Sequence, residues 1–208
     1  MRILAIDSAT EACSLALFDD GICIGHFHEV LGRGHAERLV PAIAVLPAKG
    51  RADRILVSLG PGSFTGVRIG LSAARALGLA WGAEVLGYPT LALVAAMARQ
   101  QHPGEAVTVC MAGGHGEWFV ADFGNDGMPQ GAVVSLAPDK AAQACRYRLI
   151  AGNRAADLVA LAGGAFTTLP MLPDARKALL LPPALFTAVL APIYGRGPDA
   201  KLPQGAAA

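Results

Sequence analysis

The order of strand and helix patterns is the feature that most constrains the fold of this chain. Three apolar or alternating segments come first, and Asp-Gly at 20–21 joins the second and third as a hairpin, because this pair readily takes the positive φ angles of such turns. Helical and strand patterns then alternate. The elements predicted in this half are strands over 2–7, 13–18, 22–30, 54–59 and 85–88 and helices over 35–46, 66–81 and 90–100. They predict a three-stranded antiparallel meander followed by helix–strand units.

The same order begins again after the polar stretch at 102–105. Asn-Asp-Gly at 125–127 repeats the hairpin signal, and Gly152 falls where Gly60 does in the first half. The elements predicted here are strands over 107–111, 117–123, 133–136 and 148–151 and helices over 138–145, 155–163, 174–181 and 183–190. Two βββαβα units in succession predict an α/β chain of the actin-like ATPase (ASKHA) fold, the second unit being degenerate.

The repeat also predicts two subdomains. The N-terminal one covers 1–103, and the C-terminal one covers 104–208 and ends in a Gly-, Pro- and Ala-rich tail that we expect to be loose from Gly195 onward. A βββαβα unit is a fold-level inference, so the function has to be argued from the site residues.

Composition limits the environment and the partners. A net charge of +1 gives no reason to expect strong nonspecific binding to nucleic acid, so if the chain serves RNA, another subunit would supply most of the phosphate contacts. Asp7 interrupts the first apolar run, and Glu84 and Pro89 divide the most membrane-like stretch at 76–98, so neither a secretory signal nor a membrane span is predicted. We expect a cytoplasmic protein whose scattered thiols are reduced: Cys13, Cys23, Cys110 and Cys145.

A glycine-rich loop follows the predicted strand over 54–59. Its spacing fits neither the P-loop nor the dinucleotide fingerprint. Ser63 or Thr65 would cap the following helix if the loop were only a connector. Arg68 favours a binding role instead, because a cation in the first helical turn opposes the helix dipole at a cost of about 0.3–1 kcal/mol. The loop residues are Gly60, Pro61, Gly62, Ser63, Phe64, Thr65 and Gly66.

The helix after this loop carries small residues on every face and only two charges, Arg68 and Arg75. A helix of this kind is buried on two sides. Its outer neighbour is either the first helix of the same subdomain or another subunit, and the sequence leaves both alternatives open.

The turn after the first strand has the position of an ATP–Mg²⁺ loop in actin-like enzymes. Its candidate residues are Asp7, Ser8 and Thr10, but Ala9 and Glu11 stand where active members usually have glycine. The equivalent turn at 112–116 has no carboxylate, so a magnesium site there would lack its second acid. We therefore predict a vestigial phosphate loop without ATP hydrolysis.

Other chemistries find less support. His26 and His28 lie on one side of a predicted strand, but no further ligand pattern completes a zinc site, so an exposed strand is the better prediction. No G-x-S-x-G motif of a serine hydrolase occurs. No metal and no catalytic residue is predicted.

Residues 1–14 and 60–70 together resemble the TsaB (YeaZ) family, and the resemblance continues at 35–41 and 116–119. It implies a non-catalytic subunit of the bacterial machinery that places threonylcarbamoyl on N6 of adenosine 37 in tRNAs reading ANN codons. The implied partners are a TsaD-like catalytic subunit, a TsaE-like ATPase and, when TsaD is absent, a second copy of the chain. No cofactor bound tightly by this chain alone is implied, and ATP or ADP would enter only in the complex.

The resemblance also implies where the partner binds. The two helices after His35 and Gly66 would form the contact, and changing Ala74 to Trp or Arg75 to Glu should weaken it while the monomer stays folded. The interface residues predicted in this way are His35, Arg38, Leu39, Arg68, Leu71, Ser72, Ala74 and Arg75. The family usually has an Asp-Ala-Arg run where this chain has Ala-Gly-Gly at 112–114, which separates the C-terminal half from the family pattern.

Two alternative functions remain open at this stage. A small ATP-dependent kinase or ATPase of actin-like fold would bind ATP–Mg²⁺ through Asp7. A metallopeptidase would require a stoichiometric metal.

Overall fold

The computed structural model describes residues 1–195, so the tail predicted to be loose lies almost entirely outside the described residues. The strands are β1 (Arg2–Asp7), β2 (Ala12–Asp19), β3 (Ile22–Val30), β4 (Arg54–Ser58), β5 (Glu84–Tyr88), β6 (Val107–Ala112), β7 (Trp118–Phe123), β8 (Val134–Leu136), β9 (Leu149–Ala151) and β10 (Thr167–Leu169). The α-helices are α1 (His35–Ala44), α2 (Phe64–Trp81), α3 (Thr90–Gln101), α4 (Pro138–Gln143) and α5 (Ala155–Ala162). Short 3₁₀ helices cover Pro47–Gly50, Ala175–Leu180 and Pro183–Leu185.

The strands form two five-stranded sheets with the same topology. The first has the order β3-β2-β1-β4-β5, and the second has the order β8-β7-β6-β9-β10. In each, the meander pairs are antiparallel and the two later strands are parallel to the first. Each strand of the second sheet thus has a counterpart in the first, which confirms the predicted repeat.

Helix α3 lies between the two sheets. Its residues 90–96 are buried, and they pack in one apolar cluster with β1 and β2 of the first sheet and with β6 and β7 of the second. A helix that is apolar on nearly all sides fits this position because it has no face that needs water. The two repeats therefore share a core, and the boundary predicted after residue 103 stays a prediction.

The other large cluster lies on the opposite face of the first sheet, under α1 and α2. Alternate residues of β1 supply the two faces: Leu4 and Ile6 point to this cluster, whereas Ile3 and Ala5 point to α3. The first sheet is thus covered on both sides, and α1 and α2 are its outer layer.

The predicted helices of the last third are mostly wrong. The segment 174–181 forms the 3₁₀ helix Ala175–Leu180, and 183–190 is helical only at Pro183–Leu185. Pro182 and Pro183 lack the N–H groups that a longer helix would need. The short strand β10 was not predicted, because its three residues carry no apolar run.

Residues 187–194 instead return to the first sheet, and we call them the C-terminal strap. Thr187 exchanges two backbone hydrogen bonds with Gly87 (2.8 and 3.0 Å), which places it beside β5. Further on, the N–H of Ile193 donates to the carbonyl of Leu59 at 2.7 Å. The strap therefore reaches the loop that precedes α2.

Smaller differences concern helix ends. Helix α1 begins at His35 as predicted and includes Pro41. Helix α2 begins at Phe64, two residues before the predicted start, whereas α3 begins at Thr90 as predicted, with Pro89 as its N-cap. Among the described residues, no helix is long and apolar enough to cross a membrane.

Candidate functional site

The glycines of the loop and of early α2 pack against the turn between β1 and β2. A Cβ atom at Gly62 would collide with the carbonyl oxygen of Ala9, and one at Gly66 would collide with that of Ser8. One turn later, a Cβ at Gly70 would lie 2.5 Å from the Ser8 hydroxyl. Gly66 and Gly70 lie four residues apart and so share one face of α2, whereas Gly62 belongs to the loop before the helix. The glycine pattern is therefore explained by close packing inside the subunit.

Hydrogen bonds fasten the same contact. The N–H of Ser63 donates to the carbonyl of Ala9 at 2.6 Å, and the hydroxyl of Ser8 donates to the carbonyl of Gly66 at 2.8 Å. Ser63 is the N-cap, and its hydroxyl accepts from the N–H of Gly66 at 3.2 Å. Of the two predicted caps, Ser63 is correct.

Asp7 is turned into the protein interior. It is fully buried, accepts from the N–H of Ala9 at 3.1 Å and from the hydroxyl of Tyr88 at 3.3 Å, and lies near Ser58. Burial raises the pKa of Asp7 to about 7, because desolvation outweighs these hydrogen bonds. Of the three residues predicted to form a vestigial phosphate loop, Asp7 and Ser8 thus have their side chains bound inside the subunit, and only Thr10 lines the cavity described next. The vestigial loop stays a prediction.

A cavity of about 880 Å³ lies between the two repeats. It brings together the turn after β1, the glycine loop, the turn after β6 and the end of the C-terminal strap. Its lining comprises residues 9–11, 62–64, 67–68, 112–115 and 193–195 together with Gly32 and Phe119.

A bridge of hydrogen bonds crosses one side of this cavity. The amide of Asn153 donates to the carboxylate of Glu11 at 2.7 Å and accepts from the N–H of Ala112 at 2.8 Å. Sequence reasoning missed Asn153. The available signal was its position directly after Gly152, which corresponds to the glycine loop of the first repeat.

Arg68 stands at the rim of the cavity. Its guanidinium lies over the ring of Phe64, 3.6 Å from the ring centre, and donates to the hydroxyl of Tyr194 at 3.2 Å. The rings of Phe64 and Tyr194 are 5.7 Å apart. Within residues 1–195, Arg68 pairs with no carboxylate, whereas Arg38, for example, binds Glu29 at 2.7 Å.

The predicted partner interface divides into two groups. Arg38, Arg68, Ser72 and Arg75 are exposed. The other four predicted residues are buried in the subunit itself: His35, Leu39, Leu71 and Ala74. They lie on the inward stripes of α1 and α2 and offer a partner little surface, and of the four only Leu39 borders the groove described below.

Two details sharpen this correction. Ala74 has no exposed surface, so a Trp there would overfill the core and would not leave the monomer unaffected. Arg75 donates to the carbonyl of Leu190 at 2.8 Å, so its charge reversal would also disturb the C-terminal strap.

The outer faces of α1 and α2 border a shallow groove of about 520 Å³. Mostly apolar and small side chains line it, together with the charged Arg68: Ala36, Leu39, Val40, Phe64, Thr65, Arg68, Ile69, Ser72 and Ala73. Val40 is 58% exposed and Phe64 is 56% exposed. Helix α2 thus has its own sheet on one side, α1 beside it and an open apolar surface outward.

The histidines of β3 do not form a metal centre. His26 and His28 are exposed, and the Nδ1 of His28 lies 3.0 Å from the hydroxyl of Ser14. The part of the chain that the structure describes contains no group of three or more His, Cys, Asp or Glu residues arranged to hold a metal.

The sequence of this chain matches a known protein family. The family model described as "TsaD: tRNA N6-adenosine threonylcarbamoyltransferase" matches residues 25–181. The chain belongs to this TsaD family.

Relatives and solved structures confirm the TsaB (YeaZ) resemblance of this TsaD-family chain. It is 41% identical over 133 residues to the "tRNA threonylcarbamoyladenosine biosynthesis protein TsaB" of Escherichia coli, covering 61% of this chain and 56% of that protein. It is 36% identical over 118 residues to the TsaB of Haemophilus influenzae, covering 53% and 49%. The chain therefore spans about half the length of these curated relatives.

The solved structure of YeaZ from Pseudomonas aeruginosa superposes with a TM-score of 0.78 at 27% identity, covering 93% of this chain and 99% of that one. With the repeated sheet order and the family match, this confirms the predicted α/β fold of the actin-like class.

Proposed function

We propose that this chain is a non-catalytic scaffold subunit in the biosynthesis of threonylcarbamoyladenosine in tRNA. In this proposal it supports a TsaD-like catalytic subunit, which transfers the threonylcarbamoyl group to N6 of adenosine 37 in tRNAs reading ANN codons. The process is supported by the description of the TsaB relatives as tRNA threonylcarbamoyladenosine biosynthesis proteins.

The observation that carries the scaffold role is the apolar groove on α1 and α2. Val40 and Phe64 are each more than half exposed there, beside small residues such as Ala36 and Ala73 that allow another helix to approach closely. Exposed apolar surface of this kind marks sites of protein association. The groove suits a partner helix, and we assign it to the TsaD-like subunit or, in its absence, to a second copy of the chain.

The non-catalytic role is supported by the state of the former phosphate loop. The carboxylate of Asp7 points into the core, the carbonyl of Ala9 is occupied by Ser63, and the turn at 112–116 supplies no acid. Mg²⁺ needs exposed oxygen ligands with near-octahedral geometry, which these residues do not offer. We therefore expect no cofactor bound tightly by this chain alone, with ATP or ADP entering only in the complex.

The expected relations to tRNA and to an ATPase follow from the net charge of the chain and from the proposed biosynthetic process. A net charge of +1 gives little attraction to phosphate backbones, so tRNA would be held mainly by other subunits. A TsaE-like ATPase would join the same complex, and the site of action would be the cytoplasm.

The scaffold role is tested by changing Val40 to Glu. A carboxylate at the centre of an apolar contact should weaken capture of a TsaD-like protein by at least about tenfold, because the charge loses its hydration on docking. Leu161→Glu on α5 is the matched control, since Leu161 is 56% exposed, close to the 58% of Val40, but lies on the other repeat. Pull-down from the chain's own cell extract measures both. Equal capture by the Val40→Glu variant and the wild type would place the contact elsewhere.

The process is tested by depleting the protein and measuring tRNA nucleosides by mass spectrometry. Loss of threonylcarbamoyladenosine, restored by the wild type and by Leu161→Glu but not by Val40→Glu, is expected. An unchanged nucleoside content would contradict the proposal. Calorimetry of the isolated chain with ATP and Mg²⁺ separates it from the ATPase alternative, which requires tight binding.

A further inference from the structure

The cavity between the repeats opens on the other side of Phe64 and Arg68 from the groove, and it shares only these two lining residues with the proposed docking surface. Its volume of about 880 Å³ lies within the range of small-molecule sites, about 300–1,000 Å³. The cavity combines apolar walls with a few polar groups, which is the usual chemistry of such sites.

Arg68 gives this cavity a positively charged group that can bind an anion. Its guanidinium is held in place by the ring of Phe64 and by the hydroxyl of Tyr194, so its orientation is set before any ligand binds. Among residues 1–195 no carboxylate pairs with this guanidinium. A guanidinium in a fixed orientation binds a planar carboxylate through two parallel hydrogen bonds.

Two features of the cavity select against a polyphosphate. Glu11 lines the same cavity and adds a negative charge that repels a multiply charged anion. The turn after β1 presses against Gly62 and Gly66, and its Ala9 carbonyl is occupied by Ser63, so it does not open around a phosphate chain.

The walls next to Arg68 suit an apolar or aromatic body. Phe64 and Tyr194 stand beside the guanidinium, and Phe119 and Val67 line the cavity as well. Aromatic rings of a ligand pack against such side chains in offset or edge-to-face geometry.

We propose that the cavity between the two repeats binds a small organic monocarboxylate with an aromatic or branched apolar body, and that Arg68 recognises its carboxylate. Tyr194 and Phe64 form the wall against which the apolar body packs. This site is separate from the buried contacts of the glycine loop, and its existence does not depend on the partner that occupies the groove.

The test uses N-acetyl-L-phenylalanine as the probe and its uncharged amide as the comparison. Ligand-observed NMR and calorimetry on the full chain should give saturable binding of the acid with a Kd of about 0.1–1 mM. The amide should bind at least about tenfold more weakly, since it loses the charge-assisted hydrogen bonds. ATP with Mg²⁺ should not displace the acid.

Variants locate the site. Arg68→Gln should weaken binding of the acid about tenfold and leave the amide unaffected, whereas Arg51→Gln changes an exposed arginine outside the cavity and should change neither. Tyr194→Ala removes the aromatic wall at an exposed position and should weaken both ligands. Tyr194→Phe should restore binding of the amide fully and binding of the acid only in part, because it lacks the hydroxyl that orients Arg68.

Binding that is equal for acid and amide, or unchanged by Arg68→Gln, would overturn the proposal. So would an absence of saturable binding. Loss of partner capture in the Val40→Glu variant with intact binding of the acid would show that the two proposals stand separately.

Discussion

At the scale of single residues, the carboxylate of Asp7 is buried in the core and is therefore not placed to act on a ligand. Its carboxylate accepts hydrogen bonds from the N–H of Ala9 and from Tyr88 within the core. The sequence placed Asp7 at the end of β1 correctly, but the direction of its side chain depends on Tyr88, which lies 81 positions later in the chain. Burial disfavours the ionised form of this acid, so the free energy of unfolding depends on pH.

Asp7 should therefore make the folded state less stable as pH rises from about 4 to 7. Its pKa is raised from 3.8 to about 7 in the fold, so the folded chain keeps a proton that the unfolded chain releases in this window. The stability provided by the neutral acid is complete below the unfolded pKa and is lost as pH rises through the folded one. Asp7→Asn stays neutral, so its free energy of unfolding relative to wild type should improve by about 1–4 kcal/mol from pH 4.5 to 8.

Urea denaturation of both proteins at several pH values measures this difference. Other carboxyls, such as Asp174 with its lowered pKa beside Arg176, change stability in the opposite direction but contribute equally to both proteins. A difference that stays constant with pH would show that Asp7 is ionised in the folded state throughout.

At the scale of elements, α2 has two functions on two faces. Its glycines and Ala74 pack on the first sheet and on the turn after β1, whereas Ser72 and Ala73 belong to the outer groove. The small residues that the sequence shows on every face thus have two separate causes. One is close packing within the subunit, and the other is the open surface that we assign to a partner.

Substitution by Trp should separate these two faces. Ala74→Trp should lower the free energy of unfolding by at least about 1–3 kcal/mol, because the fully buried site has no room for the indole. Ser72→Trp, at an exposed position two residues earlier, should change it by less than about 0.5 kcal/mol.

The measurement is chemical denaturation of each variant, followed by capture of the TsaD-like protein at a temperature where both remain folded. Ser72→Trp should reduce capture while keeping wild-type stability. If Ala74→Trp were as stable as the wild type, the packing of α2 on the sheet described above would be wrong.

At the scale of the whole molecule, the relation between the two repeats is set by shared elements. Helix α3 packs against both sheets, the C-terminal strap returns to the first sheet, and the Glu11–Asn153–Ala112 bridge crosses the cavity. Large apolar contacts of this kind favour a fixed arrangement of subdomains over free hinge motion. The bridge is the part that can be removed without disturbing the core.

Asn153→Ala should loosen the cavity without unfolding the chain. It removes the acceptor of the Ala112 N–H and the donor to Glu11, so we expect a loss of about 1–2 kcal/mol in the free energy of unfolding and faster amide exchange at Ala112. Asn153→Asp is the comparison, because it keeps the acceptor for the Ala112 N–H but replaces the donor to Glu11 by a carboxylate that Glu11 repels.

Hydrogen exchange read by NMR distinguishes these outcomes. Exchange at Ala112 should rise in Asn153→Ala and remain close to wild type in Asn153→Asp. Unchanged protection in both variants would mean that the bridge does not hold the turn after β6.

The order of elements was predictable because it depends on local chemistry. Period-two alternation, apolar runs and the Asp-Gly turns act over a few residues, and they predicted both meanders and the helices that follow them. In the last third the predicted helix over 155–163 is confirmed, whereas the helices predicted over 174–181 and 183–190 were wrong, and the chain after them pairs with the distant first sheet. Such pairing has no local signal.

The sequence by itself determined the repeat, the actin-like fold class and the TsaB resemblance, since each is written in the succession of residues. The tertiary structure alone decided which faces of α1 and α2 are buried, why Gly62 and Gly66 are glycines, and that Asp7 points inward. It also decided that Arg68 stands beside a cavity. The physical reason is that these properties arise between residues about 50 or more positions apart, where packing and desolvation, rather than local propensity, set the free energy.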